Sequence, residues 1–300
     1  MARLTPEQVA LAALARAEQF ATTVAARPMP ATDPALMPLG VELMKHVLIC
    51  SKVMASLAPR RAAAFSRSSA PLVGLVVRMC KLYEGILDQV CKRREELALV
   101  FVRPLMEART KFDYIRLHGR SAARSFMEGS FRAEKEILAY IDGLAKSRQL
   151  VPIERRIRTK ILAKLKTAGV TRRTLGERRQ WDLDGKSMRA LLGAMNRDLE
   201  YAFGFGSASH HVHGTWSDLI AYHLERRGGG YLPALDFDTP SPAIVVIASK
   251  LMLAPMHGYI SHFQLERGTG CRRVIRSLDT LVNLFNGAVE AVRSGPRASG

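Results

Sequence analysis

Along most of the chain, apolar residues return every three or four positions, the repeat of an amphipathic helix. Residues 6–26 form a first such segment. The stretch RPMPATDPALMP follows, and its Pro28, Pro30, Pro34 and Pro38 predict an extended linker over 27–38, because proline removes helical donors. A second helix is expected over 39–57. The next aligns Leu72, Val76, Met79, Tyr83, Ile86 and Val90 on one face, and another runs through LALVFVRPLMEARTKFDYIRL, started or kinked at Pro104. Residues 121–146 predict a long helix with Phe126, Ile137, Ile141 and Leu144 inward, and 153–167 one with Ile153, Ile157, Ile161 and Leu165 inward. Residues 186–203 align Met188, Leu192, Met195 and Leu199. A further helix opens in GFGSASHHVHGTW and stops at Gly228, Gly229 and Gly230, and two final helices cover 243–265 and 272–293. Neither a strand nor an internal repeat is expected. The pattern predicts an all-α, multi-helix bundle with a proline-rich linker after the first helix. It divides into an N-terminal helical arm (1–60), a helical core domain (61–293) and a disordered tail (294–300).

Composition changes the picture in two ways. Hydrophobic residues make up 48% of the 300 positions, enough for a sizeable core. The formal net charge is +18, which suits a polyanionic partner; genome-wide arginine bias accounts for such an excess equally well. Cys50, Cys80, Cys91 and Cys271 have neither zinc nor redox spacing and read as buried thiols in a reducing compartment. Arg16 and Glu18 interrupt the N-terminal apolar run, so no signal peptide is read there, and no apolar stretch is taken to reach a membrane span. The expected setting is bacterial cytoplasm, with no membrane partner.

Charge is concentrated between Lys146 and Arg179, where twelve Lys or Arg residues stand against Glu154 and Glu177. Arg155, Arg156, Arg158, Lys160, Lys164 and Lys166 fall largely opposite the isoleucine stripe, and Arg172, Arg173, Arg178 and Arg179 follow. Such a strip holds RNA or another polyanion by displacing counterions from phosphates. The plainer reading of the same strip is a solvated helix face, and a dock for an acidic protein is the third. Only Trp181 interleaves with it, so base stacking is not indicated. Gly185-Lys186-Ser187 imitates the end of a phosphate-binding loop, but Gln180 stands where the loop requires glycine.

Three histidines crowd GFGSASHHVHGTW. Ser207 or Ser209 is the expected N-cap, with His210 and His213 one turn apart on one face. Glu107, His257 and His262 are other possible metal partners, but no spacing joins them and no metal or cofactor is predicted. Phe205, Ser209, Val212, His213 and Gly214 resemble the FxxxSxxVHG signature of bacterial domain-of-unknown-function family 5677. VRPLMEARTKFDYIRLHGRSAARSFMEGSFRAEKEIL resembles its Arg-x-x-x-Glu helix, which maps Arg103 and Glu107. The resemblance covers roughly 70–225. Its layout is similar to the HEPN superfamily, which implies a helical domain that binds nucleotides or cleaves RNA in defence and toxin systems. In such enzymes an arginine lies shortly before a helix-start histidine. Here Gly206 replaces it and Arg197 lies sixteen positions before His213, so only Arg103, from another helix, is left to serve.

Arg103, Glu107 and His213 are therefore the candidate catalytic centre of an RNA-associated protein. The alternatives are a non-enzymatic module binding a partner protein or a second copy of itself, and a metal-dependent helical hydrolase. Under the non-enzymatic reading, His213 pairs with a carboxylate such as Glu107, and Arg103 and Glu107 are packing ion pairs.

Overall fold

The computed structural model describes residues 5–57, 65–171, 183–265 and 269–294. The all-α expectation holds. Helices α1 (Pro6–Ala25), α2 (Asp33–Ser56), α3 (Ala70–Cys91), the long α4 (Glu95–Gly129), α10 (Pro242–Phe263) and α11 (Cys271–Ser294) build one core. Between α4 and α10 come α5 (Arg132–Ser147), α6 (Pro152–Ala168) and three short helices: α7 (Met188–Gly193), α8 (Gly206–His213) and α9 (Trp216–Tyr222). α10 packs against α2, α3, α4 and α11. Across the α3–α10 seam the Tyr83 and Ser249 hydroxyls meet at 3.0 Å, satisfying two polar groups that would be costly to bury alone. The stretch assigned to an arm contributes Leu14, Leu36 and Leu43 to this same core.

Several expected boundaries move. α2 begins at Asp33, inside the predicted linker: Pro34 occupies the first turn, where amides lack helical acceptors anyway, and Pro38 forfeits one bond. The helix predicted over 121–146 breaks at Ser130 and Phe131. The one predicted over 186–203 ends at Gly193, turns through Asn196 (φ 57°) and re-forms as a π-helical turn over Glu200–Phe205. The histidine helix ends at Gly214 (φ 56°, ψ 48°) instead of at the triple glycine. Those glycines serve a hairpin that the sequence reading missed, β1 (Leu224–Arg227) against β2 (Gly230–Pro233). Gly228 supplies the positive φ (59°) that its two-residue turn needs.

Two further expectations need correction. α10 is long and apolar enough to cross a membrane, although 67% of its most apolar window is buried inside the protein, as in a core helix. Cys91 is exposed, whereas Cys50, Cys80 and Cys271 are buried, and burial pushes the Cys50 and Cys80 thiols up to about 12.

α4 carries the feature that shapes the site. Gly119 (φ 69°, ψ −144°) lies in a region open essentially to glycine alone. Glu107, Ala108 and Lys111 before it, and Ser125, Phe126 and Gly129 after it, line one cavity of about 320 Å³. A straight helix would hold positions 107 and 129 about 33 Å apart. The second arm of α4 therefore bends back beside the first. Asp184 bridges the arms, accepting from the Tyr114 hydroxyl (3.1 Å) and donating its N–H to Ser125 Oγ (2.9 Å).

α5 and α6 pack on each other over a small separate cluster of Leu138, Ile161, Leu165 and Val170. The predicted apolar faces are only partly buried. Ile137 is 43%, Ile153 47% and Ile157 36% exposed, because no further helix among the described residues covers the outer end of this pair.

Candidate active site

The fold brings Arg103, Glu107 and His213 together. Arg103 and Glu107 stand one turn apart on the first arm of α4, with Arg103 Nε 3.4 Å from Glu107 Oε1. His213 is the last residue of α8, and Gly214 turns the chain away immediately after it. Arg103 Nη1 lies 2.6 Å from His213 Nε2, across 110 positions of sequence. A guanidinium only donates, so Nε2 is the acceptor and the neutral ring carries its proton on Nδ1. The expected direct pairing of His213 with Glu107 is not what forms: Glu107 meets Arg103, and Arg103 meets the histidine.

The π-helical turn completes the support. It delivers Phe205, 7% exposed, beneath the Arg103 guanidinium at 4.7 Å from the ring centroid, a cation–π contact. Tyr201 stacks on Phe205 at 5.5 Å. The expected serine cap is absent; Ser209 Oγ donates back to the Phe205 carbonyl instead. Arg103 is thus steered by an aromatic face, a carboxylate and an imidazole, while His213 itself stays exposed.

Residues 69–231, more than half of the chain, match the family of unknown function DUF5677. The chain belongs to this family. No curated protein and no solved structure matches it. The DUF5677 segment holds Arg103, Glu107 and His213 and ends within the hairpin, so α1, α2, α10 and α11 lie outside it and pack against it.

Two polar networks in the DUF5677 segment went unread in the sequence. Arg197 reaches Asp113 (2.8 Å) and Glu200 (2.5 Å), and Arg109 adds Glu200 at 3.4 Å. Burial pulls the Arg109 pKa down. Burial opposes the Glu200 charge as well, but the Arg197 bond and the two guanidinium charges outweigh it and hold that carboxyl below its usual range. Arg197 is therefore committed to this network. The i,i+4 spacing of Arg109 and Asp113 and the i,i+3 spacing of Arg197 and Glu200 were its sequence signals. The second network centres on Asp218, 5% exposed, which accepts from His211 Nδ1 at 2.8 Å and has His223 at 3.5 Å. His211 is thus a structural link between α8 and α9. His210 instead meets the Thr215 hydroxyl at 2.8 Å.

Among the described residues, no group of three His, Cys, Asp or Glu is placed to hold a metal. His257 pairs with Asp279 and His262 lies edge-on to Phe263, apart from the histidine stretch.

Of the basic strip, Arg158 is paired with Asp142 (3.0 Å) and Lys164 with Glu134 (3.4 Å), both on α5. Arg155, Arg156, Lys160 and Lys166 are exposed and have no ion-pair partner among the described residues. Arg172, Arg173, Arg178, Arg179 and Trp181 lie outside those residues, as does the predicted tail beyond Ser294.

Proposed function

We propose that this protein binds RNA and cleaves it in HEPN-like fashion, with His213 and Arg103 acting at one phosphodiester. The carrying observation is the 2.6 Å contact between Arg103 and an exposed His213. It supplies from α4 the arginine that Gly206 does not. In this reading an entering phosphate draws the guanidinium to its own oxygens, whose geometry the planar fork matches. That frees His213 Nε2 to take the 2′-hydroxyl proton. The 2′-oxygen attacks phosphorus, the bond to the 5′-oxygen breaks, and the proton passes to that leaving oxygen. Arg103 stabilises the charge on the pentacovalent phosphate. The products are a 2′,3′-cyclic phosphate and a 5′-hydroxyl. Glu107 and Phe205 position Arg103, and the free cations of α6 hold the backbone without reading sequence.

The test is cleavage of a fluorescently labelled oligoribonucleotide. His213→Ala is expected to lower the rate about 100-fold or more with circular dichroism unchanged. An all-2′-deoxy oligonucleotide is expected to survive. Full activity in His213→Ala, or cleavage of the deoxy strand, would sink the reading.

A non-enzymatic reading is favoured by a different observation. Trp216 (59% exposed) and Tyr231 (50%) pack edge to face at 5.6 Å. With exposed Leu235 and Phe237 close by in the chain, they give an aromatic surface suited to a protein partner. Under that reading RNA remains unbound at moderate salt. Trp216→Ser then abolishes self-association in sedimentation velocity.

A further inference from the structure

A second cavity, of about 560 Å³, opens where the far arm of α4 faces the end of α6. Arg120 and Arg124, one turn apart on α4, line it together with Arg67; Ala123, Met127 and Val170 contribute its apolar lining. Arg67 is fixed there. Its Nη2 donates to the Gly169 carbonyl at 2.7 Å, and the guanidinium lies so close to Gly169 that a β-carbon would sit 2.6 Å from Arg67 Cζ. Gly169 has a φ of 61°, in the left-handed region that favours glycine. Arg120 and Arg124 are exposed, and neither has an ion-pair partner among the described residues. Glu128 is the only acid among the described residues lining the cavity, which leaves three guanidinium groups against one carboxylate.

Like charges one helical turn apart repel, and a cavity that gathers three of them is complementary to an anion. Planar forks suit phosphate oxygens, two at a time. The free cations of α6, from Arg155 to Lys166, occupy the helix that ends at this cavity. A polyanion lying along α6 would run towards this cavity. We propose that Arg67, Arg120 and Arg124 form a cradle for a backbone phosphate of bound RNA, a site separate from the Arg103–His213 pair; this rests on the RNA reading above.

The test uses the full chain. Binding of a labelled oligouridylate is followed by fluorescence anisotropy across a salt series, for wild type, Arg120→Gln/Arg124→Gln, and a control, Lys45→Gln/Lys52→Gln. The control removes the same charge from lysines paired with Glu42 and Glu84. The arginine variant is expected to bind at least tenfold more weakly. Its slope of log affinity on log salt should be shallower by about 1.4, two single-strand phosphate contacts. The control should follow wild type. Equal losses in both variants, or wild-type affinity and slope in the arginine variant, would overturn the cradle. If wild type binds no RNA, the RNA reading itself fails. The cavity is then judged by calorimetry with inorganic pyrophosphate, where binding that the arginine variant lacks sustains the cradle and no binding by wild type removes it.

Discussion

Helices α10 and α6 are comparable in length, 22 and 17 residues, yet α10 buries thirteen of its residues and α6 buries two. α10 is gripped by four helices of the main core. α6 has α5 for a partner and Ile161 and Leu165 as its buried contribution to a four-residue cluster. The difference separates two duties. Apolar area removed from water concentrates stability around α10. The strip around α6 is left with exposed cations and little holding it down, the profile of an element that opens locally before the whole fold does.

The largest effect is expected where α10 is most enclosed. Leu253 is fully buried, and Leu253→Ala should cost about 2–5 kcal/mol in urea unfolding, through lost contact and a residual cavity. Leu165→Ala deletes the same atoms from α6. It should raise hydrogen exchange across 132–168 while shifting global stability by less than about 1 kcal/mol. A global loss as large as that of Leu253→Ala would show that the two regions unfold as one.

The smallest effect is a separation in pH. Half-buried His46 stacks on Phe20 at 4.2 Å, tying α2 to α1, and burial holds its pKa below 6.5. The unfolded chain then takes up that proton more readily, so core stability is lost as pH falls below 6.5. On α6, the bonds that Glu154 accepts from Arg148 and the Val151 N–H hold its carboxyl below 4.5. Its contribution is present above that value and lost on further acidification. Between pH 6.5 and 4.5 the His46 contribution should therefore decline while that of Glu154 persists. Thermal melts should show a decline in this window that His46→Gln flattens, while exchange protection in α6 stays level; an unflattened decline would remove His46 as its source.

The helical class was legible because a three–four repeat survives wherever one face of a helix is buried, as from Leu72 to Val90. The hairpin was not: Leu224–Arg227 is one apolar residue followed by three charged ones, with no alternation to read. The π-helical turn has no sequence period of its own, and it decides where Phe205 lies. The family motifs singled out Arg103, Glu107 and His213, but no local rule joins residues 110 positions apart. Nor did they show that Glu107 reaches the histidine only through Arg103. Ile153 and Ile157 follow a core pattern yet remain exposed, since periodicity specifies a face and not whether anything covers it.

Gly119 also sets the reach of α4. Nothing lies within 4 Å of where its β-carbon would be, so the bend is imposed by the backbone and not by crowding. α4 has 35 residues. Unbent, they would make a rod about 52 Å long, with Arg103 and Arg124 on distant stretches of it. Doubled over, the same residues bring Glu107 and Lys111 of the first arm and Ser125 and Gly129 of the second to one cavity. The extent of this helix is thus decided at a position that has no side chain.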